Sequence, residues 1–518
     1  MVRIFPRHFC RTLPVILLAV IFSLGACTRD QLTTAPGNSI TVGLEGSPTT
    51  LDPCYTSDAY GSRILPLIYN SLVTTDHHGI IIGDLAETWQ IIDSCTYLFR
   101  LKPTIRFSDG SPCRAADVKA TIDFLRNPDH GCPAFGSLSL IENIDIPDQR
   151  TIIFHLSRPF ASFLYALTAY IIPAPYCTID NNNDRIIPGS GPFQLSEFSR
   201  GRRITLTRNQ NSQVAPTIDT IHFQIIADDT TRILALKKGT LDLVQNAIPP
   251  YALKFLQRDP QLQIISQHGS SYKYLGYNLE DPLTGNLTVR QAISLAIDRQ
   301  QIIRHILKNH ARPATGLLPP EHWAKASSLP SDRYDPEAAA ALLDNAGFPP
   351  LGKQGIRFSL TYKTSTNQES YEIAQIIKKQ LAAIGIAVTI LRFEWGTFFA
   401  DIRKGNFQLY SLKWIGIEDP DIFYYIFHSS STPPKGANRG RFVNKEADRL
   451  LEQSRLSLDP EERRRIFVRL QEILAQQVVY TNLWHRDDVV IMKRNLAGFE
   501  IYPGGVYTSL RQVTWLDT

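Results

Sequence analysis

Apolar side chains along this chain follow two different rhythms. Ser39-Ile-Thr-Val-Gly-Leu alternates polar and apolar positions, as a half-buried strand does. Up to about residue 270 short β-rich runs dominate. Tyr97-Leu-Phe-Arg-Leu, Thr151-Ile-Ile-Phe-His-Leu and Ile204-Thr-Leu-Thr are each bounded by Gly, Pro, Asp or Asn. Few helices are predicted in this half; one covers Ala115 to Leu125, where Val118, Ile122 and Leu125 share a face. From about residue 288 capped helices alternate with strands. Val289, Ala292, Ile293, Ala296, Ile297, Ile303 and Leu307 recur at helical spacing. Asp335-Pro336-Glu337 supplies an N-cap, a first-turn proline and an acid, and Gly347 closes that helix. Ile373, Ile376, Ile377, Leu381 and Ile384 line another, ended by Gly385 ahead of the strand Val388-Thr-Ile-Leu-Arg-Phe. Asp459-Pro460-Glu461 repeats the start signal before Ile466, Phe467, Leu470, Ile473 and Leu474. This alternation predicts an α/β architecture, with the apolar stripes as core.

The first residues obey neither rhythm. Arg3, Arg7 and Arg11 precede an apolar run from Leu13 to Leu24, which is too short to span a bilayer comfortably. It ends in Leu24-Gly25-Ala26-Cys27. Small residues before a Cys, with Leu three positions ahead of it, resemble the lipobox of bacterial lipoproteins. The resemblance implies cleavage of a signal peptide (1–26), lipidation of Cys27 and a polar tether over 27–38. No later stretch is long and apolar enough for a transmembrane helix, so a tethered protein in the periplasm or cell envelope is expected.

Length and charge narrow the partners. A chain of 518 residues exceeds what one core usually organises, so two or three lobes are expected. The formal charge is +5, and three of those charges are the leader arginines. Removing them from 54 basic residues leaves 51 against 49 acidic ones, or +2. So balanced a chain offers no electrostatic reason for a nucleic-acid partner. Beyond Cys10 and Cys27 there are five cysteines: Cys54, Cys95, Cys113, Cys132 and Cys177. An exported compartment permits one or two disulfides among them, with connectivity undetermined. No CxxC or HxxxH spacing occurs among them, so neither a metal nor another cofactor is expected. Gly189-Ser190-Gly191 is not a nucleophile elbow, and no phosphate loop or HExxH is present. On these grounds no enzyme is expected.

A series of short motifs then adds a family. Thr50-Leu-Asp-Pro53, Ile68-Tyr-Asn-Ser-Leu-Val-Thr-Thr-Asp76, Asp84-Leu-Ala-Glu-Thr-Trp89 and Ile105-Arg-Phe-Ser-Asp-Gly110 come in order. Pro188-Gly-Ser-Gly-Pro-Phe193, Gly239-Thr-Leu-Asp-Leu-Val244, Tyr274-Leu-Gly-Tyr-Asn278, Ala296-Ile-Asp298 and Trp414-Ile-Gly-Ile-Glu-Asp-Pro-Asp421 follow. Together they resemble the bacterial extracellular solute-binding proteins of family 5, the peptide and nickel receptors of ABC importers. The resemblance implies a type II periplasmic-binding-protein fold, in which two lobes close on a cleft and an extra domain is inserted. Lobe I would comprise 36–57, 188–270 and 487–518, the inserted domain 58–187, and lobe III 271–486. It implies a monomer that binds peptides or another small solute, such as a nickel chelate or a sugar. ABC permease and ATPase subunits would be its partners, and a sensory or adhesive lipoprotein is the alternative.

The same resemblance proposes site residues. Trp414, Ile415, Gly416, Ile417, Glu418 and Asp419 would line the cleft, with Tyr274 and Asn278 near the crossover and Tyr55, Ser57, Asp58 and Tyr60 facing it. Peptide-binding members place an Asp three residues after this Trp, to pair with the ligand's α-ammonium. Here that position is Ile417. Either Glu418 substitutes by a one-residue shift, or the ligand has no free amine to pair.

Overall fold

The computed structural model describes residues 38–77, 79–179, 185–329 and 333–516. The leader, Cys27 and the tether up to residue 37 lie outside the described residues. Among the described residues no helix is long and apolar enough to cross a membrane.

Several helices fall where capping and periodicity put them, but the stripe from Val289 to Leu307 is two helices, Leu287–Leu295 and Arg299–His305, because Asp298 caps a second start by accepting from the Gln301 N–H. Ala115–Leu125 is helical, with Asp117 capping back onto the Arg114 N–H at 2.9 Å. Asp335 and Asp459 cap Pro336–Asn345 and Pro460–Gln476 through their side chains. Each carboxylate satisfies an N–H that the first helical turn leaves unpaired.

One large mixed sheet runs through the molecule. Its order is Ile386–Phe393, Phe358–Ser365, Leu409–Trp414, Leu262–Tyr277, Tyr480–Lys493, Leu243–Gln245, Ser39–Leu44, Thr220–Ile225, Arg203–Arg208, Phe193–Ser199. A separate antiparallel sheet orders Ala86–Asp93, Thr96–Leu101, Thr151–Leu156 and Ile141–Asp145.

The apolar cores divide along the chain. Two clusters draw their buried residues from Ile40 to Leu262 and from Val490 to Val513. Two others lie wholly between Tyr272 and Trp484. The backbone passes from one group to the other along Leu262–Tyr277 and returns along Tyr480–Lys493, and these two strands pair antiparallel. Their register slips at the crossing. Gln267 faces Asp488, but the next pair is Ser271 with Arg486, so three residues oppose one. Gly269 sits in that bulge because a Cβ there would come 2.4 Å from the Arg486 carbonyl oxygen.

The five described cysteines are free thiols, so the expected disulfides are absent from this structure. Cys54, Cys113 and Cys132 pack in the N-terminal core as small apolar side chains. Burial raises the thiol pKa of Cys132 and Cys177 to about 11.

Candidate functional site

Where the two cores face each other, polar groups gather that the fold itself does not use. From the N-terminal side come Glu45, just past the first strand, Tyr60 and Arg63 on helix Ala59–Ile64, and Gln245 at the end of its strand. Asp58 caps that helix, accepting from the Tyr60 and Gly61 N–H groups and from Thr49. The Tyr60 ring lies against the backbone at Gly46, and burial lifts its hydroxyl up to about 12. The short turn Pro503–Gly505 covers Arg63, whose Nε donates to the Gly504 carbonyl at 3.2 Å. Gln245 is 1% exposed, yet neither end of its amide has a hydrogen-bond partner among the described residues. The same holds for one Glu45 oxygen and for the Tyr507 hydroxyl. Buried polar atoms are rarely left unpaired unless water or a ligand meets them.

The C-terminal core contributes the strand Leu409–Trp414 and the turn after it. Trp414 carries Arg439 over its ring at 4.8 Å, and its indole N–H has no partner among the described residues. Ile415 is half-buried, and Gly416 adopts φ 66°. A Cβ on Gly416 would sit 3.4 Å from the Cα of Gly504, so two glycines from opposite cores all but touch here. Lys413 is exposed to solvent, yet burial by surrounding protein together with Arg486 and Arg63 holds its ammonium below the usual lysine range.

The structure separates the residues expected to line one cleft. Trp414, Gly416 and Tyr60 reach the facing region. Tyr274 does not, because it is fully buried in a stack between Tyr272 and Tyr480, accepting from Arg439 at 3.2 Å. Asn278 braces the backbone by donating to the Gly405 and Phe407 carbonyls. Tyr55 packs edge-on against Phe124, and Ser57 is exposed. Ile417 is 7% exposed and belongs to a C-terminal core cluster. Apolar burial therefore claims the position at which an ammonium partner was expected.

Glu418 and Asp419 point elsewhere. Burial raises the Glu418 pKa, and a hydrogen bond from Thr75 opposes that rise. Asp419 accepts from Ser162 at 2.9 Å and lies 3.6 Å from the Arg463 guanidinium, which also donates to Ser162 at 3.0 Å. Burial pushes its pKa up to about 6, against the pull of Arg463. Beside it Arg455 clamps Asp421 with two bonds of 2.7 and 2.8 Å, and its carbonyl accepts from the Ala161 N–H. Both acids thus join the 58–187 segment to the C-terminal core. Sequence reasoning missed Glu45, Arg63, Gln245, Lys273, Lys413 and Arg486. All but Gln245 are charged residues on or beside a strand or helix, and such residues normally read as solvated.

The comparisons fit this geometry. The family model for bacterial extracellular solute-binding proteins, family 5 Middle, matches residues 81–435, more than half of the chain. The chain belongs to this family. The oligopeptide-binding protein AppA of Bacillus subtilis is 26% identical over 95% of this chain and 96% of its own length. The glutathione-binding protein GsiB of Escherichia coli (strain K12) is 26% identical over 93% of this chain and 96% of its own. Among solved structures, AppA in complex with a nonapeptide superposes with a TM-score of 0.82 at 26% identity, covering 93% of this chain and 99% of that one. NikZ from Campylobacter jejuni in complex with Ni(L-His) gives 0.84 at 22% identity, with 93% and 100% covered. The type II periplasmic-binding-protein fold is the one shared.

Proposed function

We propose that the chain captures peptides between its two cores and delivers them to an ABC permease with its ATPase subunits. The observation that carries this is the convergence of unpartnered polar groups, from Glu45 and Gln245 on one side and Trp414 on the other, where two long strands join the cores. Peptide binding by AppA and GsiB, each covered almost end to end, supports peptides as the solute class. On this proposal lobe I is 36–57, 188–270 and 487–518, the inserted domain is 58–187, and lobe III is 271–486. The bulge at 268–270 serves as the hinge. Hinge closure needs a few residues that absorb backbone rotation while the packed cores stay rigid. No chemical step is assigned to the chain. Its anchor is a lipid on Cys27, which holds a monomer at a membrane in the cell envelope.

Solution scattering and calorimetry together test the proposal. A cognate peptide should bind and reduce the radius of gyration. It should also raise Tm, since at 100 times Kd it stabilises the native state by about 2.7 kcal/mol. Binding without compaction would refute hinge closure. Binding of a sugar or metal chelate, with no peptide bound, would refute the peptide assignment.

A further inference from the structure

Seven charged side chains converge on the proposed cleft. Lys413 lies within electrostatic reach of Arg486, Arg63, Glu45 and Glu369. Lys273 lies within reach of Lys413, Glu369 and Arg486. Asp488 feels Arg63, Lys413 and also Asp487, whose own carboxylate is engaged by His268 at 3.1 Å, and the Asp488 carboxylate accepts from Asn246 at 2.8 Å. Lys273 and Lys413 are direct partners on adjacent antiparallel strands, so their side chains leave the same face of the sheet side by side. Like charges in that arrangement repel. Burial, reinforced by Lys413, holds Lys273 down to about 8.

The charges do not balance. Arg486 and Glu369 neutralise each other at 2.7 Å. Arg63, Lys273 and Lys413 then remain against Glu45 and Asp488. Among the described residues no carboxylate stands within ion-pair distance of either lysine or of Arg63, which is 7% exposed and whose Nε bonds only a carbonyl. A cleft that closes on surplus cations buries charge without compensation, unless the solute brings the counter-charge.

We infer that the solute carries net negative charge, and that Lys413 receives one of its carboxylates beside Lys273. The inference rests on reading this region as the ligand cleft. It narrows the solute from peptides at large to acidic ones. The termini of a free peptide cancel each other, so the required charge comes from an Asp or Glu side chain or from a blocked amine.

Three tripeptides differing only in their middle residue, Ala-Asp-Ala, Ala-Ala-Ala and Ala-Lys-Ala, test this by titration calorimetry against wild type, Lys413→Gln and Lys273→Gln. Wild type should bind the acidic peptide at least tenfold tighter than the neutral one and the basic one weakest. Both variants should compress that order to within about threefold. Lys413 is exposed, so its variant should fold normally. Equal affinity for acidic and neutral peptides overturns the inference and leaves the peptide receptor standing. So does an order that survives in both variants. If none of the three binds, the peptide assignment fails instead, and the charge of the solute released from the purified protein decides. Net negative charge supports the inference, and neutral or positive charge overturns it.

Discussion

Removing Arg463 should weaken the protein by an amount that depends on whether Asp419 is charged. Burial lifts the Asp419 pKa from 3.8 to about 6 even with Arg463 beside it. At about 1.36 kcal/mol per unit, that is about 3 kcal/mol of native-state cost above pH 6. The sign follows from the direction of the shift. The native state holds this proton more tightly than the unfolded chain does, so stability falls as pH rises from about 4 to 6 and then levels off. With Arg463→Met the carboxyl loses its cation, so its pKa rises further and the proton is held closer to neutral pH. Protonation limits the added cost, so the variant loses on the order of 1 kcal/mol beyond what wild type already bears. Losing the guanidinium's bond to Ser162 adds about 1 kcal/mol more. In an Asp419→Asn background only that second loss remains. A double-mutant cycle by urea denaturation should therefore give a coupling of about 1–1.5 kcal/mol at pH 7, shrinking to a few tenths at pH 5. Coupling below about 0.3 kcal/mol at pH 7, or the same value at both pH values, would refute this account of the contact.

Gly416→Val places a β-branched residue at φ 66° with its Cβ against Gly504. Closure should fail and peptide affinity fall at least tenfold, about 1.4 kcal/mol or more, with no compaction in scattering. Wild-type affinity would contradict the contact between the cores. Because Ile417 is packed in the core and both neighbouring acids are engaged elsewhere, N-acetylating a bound peptide should not weaken its binding by as much as about tenfold. A hundredfold loss, erased by Glu418→Gln, would show that Glu418 meets the ammonium after all. An acidic ligand should raise the pKa of Lys273, so binding near pH 8 should take up protons and weaken as pH rises further. Calorimetry in buffers of different ionisation heat measures the uptake, and none at pH 8 contradicts it. Cys27→Ser should abolish metabolic labelling by a fatty-acid analogue, and labelling as strong as wild type would refute lipidation.

The sequence made the scaffold legible wherever a physical signal was local. Asp335-Pro336 and Asp459-Pro460 announce helix starts because capping depends on neighbouring residues alone. Alternation found the strands but not which face meets the ligand. The strand Leu262–Tyr277 shows why. Tyr272 and Tyr274 pack into one core cluster while Leu275 and Tyr277 pack into another, so both faces look apolar. Tyr274 therefore reads the same in sequence whether it lines a cleft or, as here, fills a core. Lys413 fails for the opposite reason, since a lysine at a strand end normally marks a solvated edge and only tertiary structure brings Arg63 and Glu45 opposite it. Asp419 and Glu418 sit in a recognisable motif, but their partners Ser162 and Thr75 lie hundreds of residues away in sequence.

The central claim is that this chain is a peptide receptor, and the ligand it retains tests that most directly. Protein purified without denaturation would be acid-released and its bound solute identified by mass spectrometry. Short peptides should be recovered in near-stoichiometric amount, and the stripped protein should rebind them with a fall in radius of gyration. Recovery of a sugar or a metal chelate in their place, with no peptide rebound by the stripped protein, would contradict it.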